Sequence, residues 1–291
     1  MTRTLLKLVC AAVLAAAASA GHAQSCSPVS GSGAVTVTNL FSGTNYDAQG
    51  SVTFSCSRPP GNPKFPSTFW IGTSKNNNNA RTATNGANSV LYRLFRNFAG
   101  CSQAWGGNNG ITLANALTGN GDRTLTSLVV PFCLRFQSST QTTKRALSYN
   151  ATETITVRST NRTGYNWGTG VLSINVTIDP RCVFTLSAGT LTMSYTSFQA
   201  GAATGSRPFS VRCTNGTGYE LDLDAVNGTL LGLDYAVGLN TVGTQGLDNL
   251  SGTGNAQSYT FRGSIAPSQA GTCANAAGCT GTDPRTITVA Y

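Results

Sequence analysis

Gly50-Ser51-Val52-Thr53-Phe54-Ser55-Cys56 closes a stretch that opens at Cys26, and Arg207-Pro208-Phe209-Ser210-Val211-Arg212-Cys213 closes a second that opens at Cys182. In each, a cysteine begins a β-like run and a second cysteine ends a short alternating strand. Further along, the copies share an ending: Glu153-Thr154-Ile155-Thr156-Val157 in the first, Arg285-Thr286-Ile287-Thr288-Val289 in the second. A repeat with a period of roughly 150 residues predicts two related domains. We place them at residues 24–178 and 179–291.

The chain begins with a processing signal. Arg3 and Lys7 supply positive charge to the apolar run at residues 5–18, and Gly21-His22-Ala23 offers a small-x-small cleavage site. Residues 1–23 therefore read as an export signal, since the run falls short of the ~20 apolar residues of a membrane span. Cleavage there removes Cys10 and His22, the single histidine. Left behind are Cys26, Cys56, Cys101, Cys133, Cys182, Cys213, Cys273 and Cys279, four in each half. An even number in an exported chain predicts disulfides. Three pairings per half are formally open; the repeat favours Cys26–Cys56 and Cys182–Cys213, leaving Cys101–Cys133 and Cys273–Cys279. Closing a loop of about thirty residues stabilises by ~3–4 kcal/mol in the chain-entropy model. A zinc site lacks both a CxxC pair and a mature histidine, so no metal or cofactor is expected.

Only 10% of the residues are charged. Such a chain, rich in Gly, Ser, Thr and Asn, suits turn-rich β structure and disfavours long helices. The net charge of +9 is uneven: residues 24–178 carry 12 Lys and Arg against 3 Asp and Glu, and residues 179–291 carry 5 against 7. Strand-like alternation recurs at residues 34–38, 51–56, 67–71, 89–95, 125–134 and 152–157, punctuated by Asn and Gly clusters. In the second half it recurs at residues 191–195, 219–223, 233–239 and 258–262. Many short strands, paired cysteines and two repeats predict an all-β chain of two immunoglobulin-like β-sandwich domains in tandem.

The copies differ after their shared ending. The first continues to Val171-Leu172-Ser173-Ile174-Asn175-Val176-Thr177-Ile178, where Leu172, Ile174, Val176 and Ile178 form one apolar face. This is a final strand supplied by the chain itself. The second copy is followed only by Ala290 and Tyr291. On a shared architecture the second sandwich lacks its last strand and exposes an edge of unpaired backbone groups, to be filled by strand addition from another polypeptide. Only Gln24 and Ser25 precede Cys26 after cleavage. The mature chain is thus expected to accept a strand without donating one, which places it at the end of a strand-exchange fibre.

The cysteine-bounded strands, the Gly/Thr-rich body and the ending Thr286-Ile287-Thr288-Val289-Ala290-Tyr291 resemble the spore coat U domain family, which includes the pilins of archaic (Csu-type) chaperone–usher pili. Residues 179–291 look like the closer match and residues 24–178 like an enlarged, diverged copy; the two-domain layout is similar to the tip adhesin of those pili. The resemblance implies a periplasmic pilus chaperone, an outer-membrane usher and an adjacent pilin as partners, a route through the periplasm to the cell surface, and a role in attachment and biofilm formation. It also places Ile287, Val289 and Tyr291 where chaperone and donor strand engage.

No enzymatic centre emerges. Without histidine the usual triad base is missing; Glu220, Asp222 and Asp224 share a strand face that reads as solvated rather than catalytic. Lys144-Arg145 has no aromatic platform, so nucleic acid is not an expected partner. A receptor surface belongs on the first domain, away from the second, at the turn before the final strand. That turn displays Tyr165 and Trp167; other inserted loops carry Phe65, Phe98 and Trp105. Aromatics on glycine-rich loops suggest contact with an abiotic or host surface, the alternative being that Trp105 and Trp167 cap the core. Rival functions are a structural coat or matrix protein and a secreted carbohydrate-binding module.

Overall fold

The structure is a computed structural model that describes residues 25–57, 68–75, 80–96, 99–114, 127–185, 189–273 and 278–291. The export signal expected at residues 1–23, and Phe65 and Phe98, lie outside the described residues. Apart from one 3-10 turn at Ser138–Thr140, the described secondary structure is all β.

The first half contributes β1 (Ser25–Val37), β2 (Asn45–Ser57), β3 (Thr68–Thr73), β4 (Arg81–Asn85), β5 (Asn88–Phe95), β6 (Ile111–Ala114), β7 (Leu128–Gln137), β8 (Ser148–Ser159) and β9 (Asn166–Ile178). These form one nine-stranded sheet in the order β4-β5-β7-β2-β1-β9-β8-β3-β6, and β4 also touches β8 through Thr84 and Asn150. The sheet folds around a core in which Val52, Phe69, Ile71, Phe132, Leu134, Ile155, Val157 and Val176 are buried completely. The predicted alternation of the last strand holds: Leu172, Ile174, Val176 and Ile178 all point inward. β9 lies antiparallel to β8 and parallel to β1, from Ser30↔Val171 to Val37↔Ile178.

The second half contributes β10 (Cys182–Phe184), β11 (Ala203–Cys213), β12 (Gly218–Leu223), β13 (Asn227–Leu230), β14 (Leu233–Leu239), β15 (Gly246–Ser251), β16 (Ala256–Ile265) and β17 (Ile287–Ala290). Here there are two sheets, β10-β11-β16-β14-β13 and β15-β12-β17. They enclose a separate core of Phe209, Val211, Leu221, Leu223, Val237, Leu239 and their neighbours. All four expected disulfides are present: Cys26–Cys56, Cys101–Cys133, Cys182–Cys213 and Cys273–Cys279.

One expected strand does not form. Residues 191–195 carry an alternating pattern yet belong to no sheet. The reason is tertiary. In the first sandwich the corresponding second half of β1 is held on one side by β9, and among the described residues the second sandwich has no strand in that place. The short strands β4, β6, β13 and β15 are not among those the sequence pattern predicts.

Three residues, Asp179, Pro180 and Arg181, join β9 to β10, and the sandwiches touch at this junction. The Arg212 guanidinium sits 4.5 Å from the centre of the Phe41 ring. The Asn215 carbonyl accepts from the Ala146 amide at 3.2 Å, and the Asn215 side chain donates to the Thr143 carbonyl at 3.0 Å.

Candidate strand-accepting site

The two strand orders superimpose term by term. Reading β13-β14-β16-β11-β10 and then β17-β12-β15 against β4-β5-β7-β2-β1-β9-β8-β3-β6 leaves one vacancy, opposite β9. That vacancy is why the second sandwich has two sheets. In the first, β9 hydrogen-bonds to β1 on one side and β8 on the other and makes the sheet continuous. In the second, β10 and β17 are edges, and no described strand pairs with the outer side of β17.

Side chains report the same vacancy. Ile155 and Val157 of β8 are fully buried; their counterparts Ile287 and Val289 of β17 pack on the second core yet stay half-buried. Tyr291, just past β17, is 56% exposed. Along the other margin, Leu191 and Met193 lean over the inner face at two glycines. A Cβ on Gly263 would come within 2.9 Å of both side chains, and one on Gly205 within 3.1 Å of Met193. Both side chains are half-buried there. The result is a slot lined by apolar groups and two unpaired backbone edges, the features a β-strand would complete.

Polar contacts brace β17 from behind. Asp224 accepts from the Thr286 amide at 3.0 Å, and its own amide donates to the Thr286 carbonyl at 3.1 Å. Arg285 donates to the Tyr235 hydroxyl and to the Asn227 carbonyl at 3.0 Å, and pairs with Asp283 at 2.9 Å. Asp224 is thus a backbone anchor, while Glu220 and Asp222 face solvent.

The aromatic candidates divide. Tyr165 is 63% exposed in the turn between β8 and β9, at the end of the first sandwich away from the second. The turn is tightly held: the Tyr165 amide donates to Ser159 Oγ at 2.9 Å, and Arg158 donates to the Gly164 carbonyl at 3.1 Å. Trp167 and Trp105 are a correction, for both are buried. Trp167 is an inward position of β9, its ring 5.2 Å from Phe69. The strand reaches this depth because Gly168 and Gly170 lie against the β1 backbone, where a Cβ would meet Cys26 O at 2.2 Å and Val29 O at 1.7 Å. Trp105 donates its indole N–H to the Ile71 carbonyl at 3.0 Å and packs 5.0 Å from Phe132. The glycines around these tryptophans permit close packing rather than display.

Asp47, Cys101 and Cys133 cluster closely enough to suggest a metal, but the cysteines are joined to each other and both Asp47 oxygens accept from Arg135, at 2.6 and 2.7 Å. The donor set does not fit an ion.

A model of the Spore Coat Protein U domain matches residues 12–158, just over half of the chain, and the chain belongs to that family. The match falls on the enlarged first copy and not on residues 179–291, a correction to the expectation that the second copy is the closer match. It also stops within β8, leaving β9 outside. No curated protein matches. Among solved structures, the chain is similar to one from the CsuC–CsuE chaperone–tip adhesion subunit pre-assembly complex of archaic chaperone–usher Csu pili of Acinetobacter baumannii. The TM-score is 0.51 at 15% identity, over 92% of this chain and 100% of that one. A match to the CooA pilin subunit of enterotoxigenic Escherichia coli covers 51% of this chain and 90% of that one, with a TM-score of 0.31 at 11% identity. At these identities the first likeness concerns the fold, and the second carries no argument.

Proposed function

We propose that this protein is the tip subunit of a chaperone–usher pilus, carrying an adhesive first domain at residues 24–178 and a pilin domain at residues 179–291 that accepts a strand from the next subunit. The observation that carries the reading is the single vacancy opposite β9. The family membership and the likeness to a chaperone–tip adhesion complex support it. So does the end of the family match before β9: the first domain brings its own closing strand, and the second needs one from outside. A periplasmic chaperone covers the slot after export, an outer-membrane usher exchanges it for the neighbouring pilin's strand, and the completed subunit stands on the cell surface. Ile287 and Val289 line the slot and Tyr291 marks its end. Attachment to an abiotic or host surface, and with it biofilm formation, falls to the far end of the first domain, where Tyr165 is exposed.

The test is to refold the mature chain with and without a synthetic peptide copying Asn166–Ile178, the strand that fills the matching position. Occupancy at a hundredfold excess over Kd stabilises by about 2.7 kcal/mol, so the unfolding transition of the second core should move up while that of the first stays. A chain fully stable alone, with no response to peptide, would sink the reading. Separately, Tyr165→Ala should weaken surface attachment by piliated cells; unchanged attachment would favour a purely structural coat or matrix role.

A further inference from the structure

The junction between the two sandwiches already contains a worked case of strand donation. β9 fills a slot, and after Asp179, Pro180 and Arg181 the chain enters the next sandwich, which then rests on the end of the one it completed. One contact point on the completed sandwich is Phe41, in the loop between β1 and β2, and the group resting on it is the Arg212 guanidinium. Arg212 stands immediately before the cysteine that ends β11 and is itself held by a 2.8 Å hydrogen bond to the Gly254 carbonyl.

The second sandwich repeats the acceptor half of this contact and leaves it uncovered. Phe41 stands fifteen residues before Cys56, and Phe198 stands fifteen before Cys213, in the loop that leads into β11. Phe41 is half-buried, whereas Phe198 is 70% exposed. Phe198 also has φ of 58°, a conformation that costs a bulky residue energy and persists only where the surroundings enforce it. They do: the Phe198 amide donates to the Gln269 carbonyl at 2.8 Å, the Ser268 amide to the Gln199 carbonyl at 2.9 Å, and Ser197 Oγ to the Ala270 carbonyl at 2.6 Å. Two loops thus clamp the ring outward. It lies at the end of the sandwich farthest from the first, where β11 begins and β16 ends. A strand entering parallel to β10, as β9 runs parallel to β1, leaves the slot at this end.

We infer that Phe198 is the docking point for the body of the strand-donating subunit, and that the group set on it is a cation, a guanidinium or ammonium occupying the place that Arg212 holds over Phe41. The inference rests on the strand-accepting reading above and adds to it a second contact with a stated chemistry. A cation over an aromatic face is attracted by the ring quadrupole and strengthens an interface that is already in register.

The experiment uses the full mature chain and two peptides, each copying Asn166–Ile178 followed by a Gly-Ser spacer of six residues, one ending in arginine and the other in its neutral isostere citrulline. Isothermal titration should show the arginine peptide binding roughly two- to fivefold more tightly, the range for a cation–π contact at an exposed site. In Phe198→Leu, which keeps an apolar side chain but removes the ring, the two peptides should bind alike, with the affinity of the citrulline peptide for the unaltered chain. Equal binding of both peptides to the unaltered chain overturns the inference and leaves the slot intact as a reading. An arginine preference that survives in Phe198→Leu also overturns it, by assigning the effect to general charge attraction. If neither peptide binds, the strand-accepting reading fails and takes this inference with it.

Discussion

Two polar clusters occupy corresponding places in the two sandwiches, and their contrast shows how differently the two enclose a charge. In the first, Glu153 of β8 accepts from the Tyr92 hydroxyl at 2.8 Å and from Arg81 at 2.9 Å, while Arg81 also donates to Thr73 Oγ1 at 3.1 Å and to the Trp105 carbonyl at 2.5 Å. In the second, Arg285 stands where Glu153 stood, one residue before the Thr-Ile-Thr-Val run, and its tyrosine is Tyr235 of β14. The sign of the charge is inverted and the tyrosine contact is kept. Burial is not: the Arg81 and Glu153 side chains are 2% and 0% exposed, those of Arg285 and Asp283 15% and 32%. In the first sandwich the pair is enclosed by Thr73, Tyr92 and the Trp105 carbonyl, and it is tolerated in the core because every group has a partner. In the second the pair stays partly exposed.

The sharpest way to break this comparison is to remove one partner from each cluster. Glu153→Ala strands Arg81 in the core and should cost about 3–5 kcal/mol, read as a drop in the denaturant midpoint of the first core. Arg285→Ala removes a partly exposed pair and should cost under about 1 kcal/mol. Equal losses would mean that burial does not separate the two sites.

The core faces of the closing strands give the next largest effect. Ile174→Ala empties a filled position of β9 and should destabilise by about 2–5 kcal/mol. Ile287→Ala, at a half-buried site beside the slot, should cost clearly less in the free chain, and more once the peptide copying Asn166–Ile178 is bound. A penalty independent of peptide would place Ile287 away from the slot. Disulfides extend the contrast: the Cys182–Cys213 link, with a sequence separation of 31, should contribute about 3–4 kcal/mol, against about 2 for Cys273–Cys279, with a separation of 6. Paired Cys→Ala variants compared by thermal unfolding check the order.

The smallest prediction concerns alkaline pH. Burial, with help from Glu153, pushes the Tyr92 hydroxyl well above its ordinary value, and burial beside Tyr259 does the same for Tyr219. Each therefore keeps its proton in the folded chain after the unfolded chain has begun to lose it. Their contribution is intact below pH of about 10 and declines as pH rises beyond it, so both cores should lose stability there. Tyr219→Phe should flatten the decline for the second core only, as followed by unfolding at a series of pH values.

Much of the fold was legible because its signals are local. Leu172, Ile174, Val176 and Ile178 alternate with polar residues, and period 2 alone announces a strand with one buried face. Residues 191–195 carry a similar pattern without forming a strand, because alternation specifies which side chains share a face and says nothing about whether a neighbouring backbone is there to pair. Trp105 and Trp167 show a related limit. Glycines beside an aromatic serve equally for an exposed loop and for a tight approach to another strand, and only the position of Cys26 and Val29 against Gly168 and Gly170 decides between them.

The sequence by itself determined the two-copy plan and the alternation of β9, and it favoured two of the cysteine pairs, all properties of order along the chain. Only the tertiary structure decided the pairing of all eight cysteines, that one strand place lies vacant between β10 and β17 among the described strands, that the tryptophans lie inside, and that Phe198 stands outward where Phe41 is covered. These depend on which distant segments meet. Strand pairing joins residues far apart in sequence, and the periodicity of any one segment carries no record of its partner.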